Sequence, residues 1–207
     1  MSKKTLLIIG AGGHAKACID VIQSCGGYDI IGCVDVPANQ GKCTLGIDVI
    51  GSDKDIFELV AKYKNVFVAI GQIKDPQPRL KVIDVCRKAG AQFPSVIAST
   101  AWVSPHAKIG EGVIVMHGSI VQAAADVGSF CILNDRALIE HDACIGNNTH
   151  ISTGAIINGG VQVGENSFIG SGAVVIQSVR IGSGCVIGAN ATIKKEVPDG
   201  EIIFEKG

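Results

Sequence analysis

Residues 139–168 read IEHDAC IGNNTH ISTGAI INGGVQ VGENSF, and the six-residue spacing of that stretch decides the fold. Each block opens on an aliphatic residue: Ile139, Ile145, Ile151, Ile157 and Val163. The same register runs without insertion from Ile97 to Pro198, seventeen hexads in all, and the opening residue is Ile, Val or Leu in every one. The fifth residue is always small or β-branched, from Ala101 through Cys131, Ala143 and Cys185 to Val197. A period of six fits neither a 3.6-residue helix nor a plain alternating strand. It fits a chain wound as a triangular coil, one hexad per side, with the aliphatic residue inside each side and the small one near each corner. Successive coils then cover each other and share a continuous apolar column.

This pattern resembles the left-handed parallel β-helix of the hexapeptide-repeat acyltransferases, over about half the chain. The length of 207 residues leaves room for a second domain. Residues 1–95 are expected to form a small Rossmann-like α/β domain, and residues 96–207 the all-β helix. A formal charge of −1, with no run of Lys or Arg, gives no electrostatic footprint for nucleic acid or an anionic membrane. No stretch reaches the roughly 18 apolar residues of a membrane span, and the short apolar run after Lys3 and Lys4 reads as a first strand rather than a leader. A soluble, cytoplasmic protein is expected. The eight cysteines show no C-x-x-C pair and read as reduced, structural thiols.

The first half reads as βαβα. Strand Thr5 to Ile9 is followed by Gly10-Ala11-Gly12-Gly13-His14-Ala15 and a helical stretch from Lys16 to Gln23. Strand, glycine turn and helix put backbone N–H groups and a positive dipole end where a phosphate can sit. Read as G-x-G-x-x-A, the motif also matches a loose dinucleotide fingerprint, although such glycines can equally close a tight turn. A second strand, Ile30 to Val34, ends on Asp35, placed to accept from a ribose hydroxyl. Helices are expected over Asp53 to Lys62 and Arg79 to Ala89, with a buried strand from Val66 to Ile70. Gly71, like Gly12 and Gly13, follows a strand's carboxyl end and should line the same crevice. Lys74 and Arg79 read either as phosphate contacts or as solvated loop charges.

Of the five histidines, His141 stands out. It is outward-facing, with Glu140 and Asp142 on either side. A neutral imidazole with a reference pKa of about 6.5 takes a proton at neutral pH, and an adjacent carboxylate strengthens it and fixes its tautomer. Neighbouring side chains of an extended segment point to opposite sides, so Asp142 reaches His141 only if a corner falls between them; otherwise Glu140 or a partner's carboxylate serves. With three hexads per coil, the residue above His141 is Gly159, which opens space for a substrate. His106 and His117 read as ordinary surface residues.

The layout as a whole, with G-A-G-G-H at 10–14, I-E-H-D at 139–142, N-N-T-H-I-S-T-G at 147–154 and hexads throughout, resembles the nucleotide-sugar acetyltransferases of bacterial acetamido-sugar synthesis. That family includes UDP-4-amino-sugar and perosamine N-acetyltransferases and sialic acid O-acetyltransferase-like proteins. The resemblance implies an N-terminal domain that holds a UDP-amino-sugar, and a homotrimer of β-helices with acetyl-CoA between adjacent subunits. Transfer to the sugar amine is then direct and needs no metal. His141 matches the general base and Asp142 its supporting acid. His150 matches a histidine near the acetyl group, with Gly159, Ser171 and Gly188 also assigned to the cosubstrate. Gly12, Gly13, His14, Asp35 and Gly71 match the nucleotide-sugar side. The tail Val197-Pro198-Asp199-Gly200-Glu201-Ile202-Ile203-Phe204-Glu205-Lys206-Gly207 lacks the family's usual G-x-P-A-K. Other readings are a sialic acid O-acetyltransferase, a non-catalytic nucleotide-sugar-binding trimer, an NAD module, and a γ-type carbonic anhydrase, which would need a third zinc-binding histidine.

Overall fold

Each hexad contributes a two-residue strand and a corner, and three hexads make one coil. Leu138 pairs in parallel with Ile120 on the coil below and with Ile156 on the coil above. The strands stack into three parallel walls. The first has six strands, from Trp102–Val103 to Thr192–Ile193; the second has five, from Lys108–Ile109 to Arg180–Ile181; the third has seven and ends on Ile202–Ile203. The result is a left-handed parallel β-helix. This computed structural model describes residues 3–204, so the last three residues of the tail lie outside the described residues.

The second residue of each strand points inward. Val121, Ile139, Ile157 and Val175 are fully buried in one column, with the small residues Ala125, Ala143 and Val161 beside it. The expected inward aliphatic of each hexad is less completely covered at one end. Ile97 is 40 % exposed and Val103 and Ile109 are only half-buried, because the first coil has no coil beneath it. Cys131 and Cys185 fill small-residue positions, with their thiols donating to Gly146 O at 3.1 Å and Pro198 O at 3.0 Å.

From Gly112 to Asn190, each corner is made by the fourth residue of the hexad in the left-handed conformation. From His141 onward these are Asp142, Asn148, Gly154, Gly160, Asn166, Gly172, Ser178, Gly184 and Asn190, all at positive φ. Glycine and asparagine tolerate that region best, which accounts for most of the list.

The chain divides into two compact units. Residues up to Gly71 with Gln77–Val96 form one, and Gln72–Pro76 group with the coil in the other. The first unit runs β1 (Lys4–Ile9), α1 (Gly13–Cys25), β2 (Tyr28–Val34), β3 (Cys43–Thr44), β4 (Ile47–Gly51), α2 (Ile56–Tyr63), β5 (Val66–Val68) and α3 (Gln77–Lys88). Its sheet has the order β3-β4-β2-β1-β5, parallel except for the β3–β4 hairpin. That hairpin has no counterpart in the sequence reading. Its turn is Leu45-Gly46, both at positive φ, as the right-handed twist of the two strands requires, but with Leu where Asn or Asp would have signalled it. The core of this unit is the continuous apolar β1, Leu6 to Ile9, with Ile19 and Ile22 of α1 buried as fully. No helix among the described residues is long and apolar enough to cross a membrane.

Candidate functional site

The corner between the first and second walls carries the chemistry. Asp142 has φ +61°, so the chain turns between His141 and Asp142, and two consecutive side chains reach the same side. His141 Nδ1 and Asp142 Oδ2 are 2.7 Å apart, with both side chains 66 % exposed. The hydrogen bond to Asp142 pushes the His141 pKa above its ordinary value, opposed by desolvation and aided by the charges of Asp142 and Glu140. With Nδ1–H donated to the carboxylate, Nε2 is the basic nitrogen, directed away from its support.

The coils above and below leave that nitrogen room. Below His141 lies Ala123, whose carbonyl accepts from Asp142 N at 3.3 Å; above lies Gly159, and Gly160 N donates to His141 O at 3.0 Å. A β-carbon placed on Gly159 would lie 2.7 Å from His141 Cε1 and 2.8 Å from Nε2. Any larger residue there would displace the ring. The corner thus presents an oriented, strengthened base in a notch one side chain deep.

The other residues assigned to the cosubstrate lie elsewhere on the coil. His150 belongs to the third wall, opposite the His141 corner, and is 7 % exposed. Its Nδ1 lies 2.9 Å from the carbonyl of Gln72, and its ring meets Phe168 edge-on at 5.1 Å. Gln72 is itself buried. Its amide donates to Asn148 O and accepts from Asn148 Nδ2 at 2.7 Å, and Asn148 Nδ2 also donates to Asn166 Oδ1 at 3.0 Å. Ser171 sits at the corner between the third and first walls, its hydroxyl 3.0 Å from that of Ser152. Gly188 is buried, and a β-carbon there would meet Phe204 at 2.7 Å. Of the residues assigned to the cosubstrate, Gly159 joins His141 and Asp142, and His150, Ser171 and Gly188 do not.

A second concavity, of about 350 Å³, lies at the carboxyl ends of the strands in the N-terminal unit, lined by Gly10, Gly12, Gly13, His14, Asp35 and Gly71 among others. It falls where the sheet order reverses, β2 on one side of β1 and β5 on the other, the usual ligand position in open α/β sheets. The glycines of the turn differ in purpose. Gly10 has φ +108°, and a β-carbon there would press on Ala69 O at 3.1 Å, so this residue closes the turn. Gly12 and Gly13 have nothing within 4 Å of such a carbon, and α1 starts at Gly13 with no side-chain cap. These two leave backbone N–H groups open to a ligand, the arrangement that receives a phosphate.

Asp35 is already partly engaged. It accepts from Ala11 N and Val36 N, each at 2.6 Å, and from Asn39 Nδ2 at 3.3 Å. Its first task is to fasten the glycine turn, which the hairpin secures from the other side through Thr44 Oγ1 to Ala11 O at 3.1 Å. The His14 ring stands 3.4 Å from where a Gly71 side chain would begin, so Gly71 makes room for it. Lys74 is exposed, as a loop charge would be. Arg79 is neither in a loop nor solvated: it lies in the first turn of α3, 1 % exposed, with Nη1 donating to Val68 O at 2.9 Å and to Ile70 O. It holds the carbonyls at the end of β5 and so shapes the crevice floor. The sequence carried no sign of that burial. Among the described residues no group of three or more His, Cys, Asp or Glu side chains is arranged to hold a metal ion.

Comparison with known proteins follows the same division. Residues 5–85 match the family profile of the PglD N-terminal domain, and residues 160–195 that of the bacterial transferase hexapeptide (six repeats). A search of curated proteins found no match. Among solved structures, the acetyltransferase domain of PglB from Neisseria gonorrhoeae FA1090 is 33 % identical over 97 % of this chain and 96 % of its own, with a TM-score of 0.89. PerB from Caulobacter crescentus, solved in complex with CoA and GDP-perosamine, is 34 % identical over 97 % of this chain and 94 % of its own, also with a TM-score of 0.89. WeeI from Acinetobacter baumannii AYE, 22 % identical with a TM-score of 0.77, shares the fold.

Proposed function

We propose, starting from the fact that this chain belongs to the hexapeptide-repeat sugar N-acetyltransferases with a PglD-type N-terminal domain, that it acetylates the amino group of a nucleotide-linked 4-amino-4,6-dideoxy sugar. The observation that carries the mechanism is the His141–Asp142 pair, 2.7 Å apart at a corner where Gly159 leaves the base uncovered. The sugar amine attacks the thioester carbonyl of acetyl-CoA. As the C–N bond forms, His141 Nε2 takes a proton from the nitrogen, and the C–S bond then breaks with CoA leaving as a thiolate. No side chain needs to carry the acyl group. Asp142 holds the ring in the tautomer that exposes Nε2, and stabilises the imidazolium that results.

The nucleotide occupies the crevice of the N-terminal unit, its phosphates over Gly12 and Gly13 beside His14, and its ribose near Asp35. UDP is the preferred nucleotide in this reading, and the GDP-perosamine bound by PerB makes GDP its direct competitor. Acetyl-CoA lies between copies of a homotrimer. Support for that assembly comes from the outward residues of the first wall, Trp102, Ile120, Leu138, Ile156 and Val174, an apolar stripe that runs past the His141 corner. Trp102 and Ile120 are exposed and the other three half-buried, an apolar row that offers a surface to a partner. A second copy packed along it would bring further residues to the notch formed by His141, Asp142 and Gly159. Activity in the cytoplasm, where acetyl-CoA is available, follows from this reading.

The test is thiol release from acetyl-CoA with UDP- and GDP-linked 4-amino sugars and free sialic acid offered separately, and His141→Ala as control. Turnover on a nucleotide-linked amine that is lost in the variant is the expected result. Turnover on sialic acid alone would move the function to O-acetylation. Nucleotide-sugar binding without any thiol release would leave a binding trimer.

A further inference from the structure

Glu140 is left without a task once Asp142 is seen to support His141. It lies on the first wall, one residue before the base, outward-facing and half-buried. It directly precedes the base in the chain, and its charge adds to the rise in the His141 pKa. No hydrogen bond or ion pair among the described residues engages its carboxylate. The residues directly below and above it are Gln122 and Asn158, set by the ladder Gln122 N to Ile139 O and Glu140 N to Ile157 O at one strand spacing of about 4.8 Å. Asn158 turns its amide upward to Val175 O at 2.7 Å and gives nothing to Glu140. A half-buried residue whose carboxylate keeps unused acceptor sites is free to take a donor from a ligand.

We infer that Glu140 is the docking group for the acceptor's protonated amine, and so selects an amine over a hydroxyl at the reacting carbon. This rests on the acetyl-transfer reading above. A sugar amine reaches the enzyme largely as an ammonium, with three donors and a positive charge; a hydroxyl brings one neutral donor. Docked against Glu140, the ammonium sits within reach of His141 Nε2. It loses one proton to solvent, and the neutral nitrogen attacks the thioester carbon. The C–N bond forms, the C–S electrons leave with the thiolate, and His141 takes the second proton. Glu140 itself exchanges no bond.

The experiment is calorimetric binding of the 4-amino nucleotide sugar and its 4-hydroxy counterpart to the wild-type protein, Glu140→Gln and Glu140→Asp, with kinetics alongside. Glu140→Gln should weaken the amine roughly 10- to 100-fold, as loss of a charge-assisted hydrogen bond does. The hydroxy sugar and CoA should bind as before, and Glu140→Asp should recover part of the loss. In turnover the effect should fall on KM for the amino sugar. Equal losses for both sugars, no loss for either, or a shifted pH profile at unchanged amine affinity would each overturn the proposal. A wild-type protein that binds the amine through Glu140 but releases no thiol would sink the acetyl-transfer reading and leave the docking role standing.

Discussion

Glycine serves the coil and the N-terminal crevice for opposite reasons, and the contrast separates what builds this protein from what it uses. At the corner between the second and third walls, Gly110, Gly128, Gly146, Gly164 and Gly182 recur every three hexads. A β-carbon on Gly146 would lie 2.5 Å from Glu165 N, and one on Gly110 2.6 Å from Ser129 N. The next coil fills that space, so the requirement is packing. At Gly12 and Gly13 nothing comes within 4 Å, so the space is kept for something that is not the protein. Gly159 is a third case, in which the space belongs to one functional ring.

Alanine at each kind of position should therefore fail differently. The largest effect on activity is expected from Gly159→Ala: its methyl group displaces the His141 ring, and a misplacement of this size costs about 100-fold in kcat. Thermal unfolding should hardly change, since the corner is open to solvent. Next comes Gly146→Ala, which should lower stability by about 1–3 kcal/mol through overpacking against the coil above, read from denaturant midpoints, with kcat of the folded protein intact. Gly12→Ala should be the mildest. Its φ of −78° suits alanine, so stability stays within about 0.5 kcal/mol. Nucleotide-sugar affinity should nevertheless drop roughly tenfold, or ~1.4 kcal/mol, as the methyl group covers the N–H groups of α1. A Gly12→Ala protein that unfolds early, or a Gly159→Ala protein with full activity, would dissolve the distinction.

The two regions also differed in how far the sequence could be read. The coil was legible because one residue type per hexad suffices to seal it, and Ile139, Ile157 and Val175 sit inside as the spacing requires. The partner of His141 stayed open between Glu140 and Asp142, because alternation along a strand argues against adjacent residues meeting. A signal that would have settled it was present in the fourth place of the hexads, where Asn148, Gly154, Gly160, Asn166, Gly172, Gly184 and Asn190 mark a column of residues suited to positive φ, with Asp142 in line. The eighteen-residue recurrence of Gly110 to Gly182 was a second such signal. In the N-terminal unit the strands and helices followed from apolar runs, whereas the Leu45-Gly46 hairpin and buried Arg79 did not. Leucine does not announce a tight turn, and a lone arginine near a loop gives no hint that backbone carbonyls will enclose it. Asp35 shows the same limit: its place after β2 was readable, but not that Ala11 and Val36 would occupy its oxygens.

The measurement closest to the centre of the account is the pH dependence of kcat/KM for the wild type and Asp142→Asn. A base must be deprotonated to act, so activity rises with pH through the pKa of His141. Asp142 holds that pKa above the ordinary histidine value, and the acidic limb of the wild type should lie correspondingly high. In Asp142→Asn the limb should move to lower pH and the plateau should drop, because the ring loses both its charge support and its fixed tautomer. An acidic limb that stays in place, at an undiminished plateau, would contradict the claim that His141 and Asp142 act as one base.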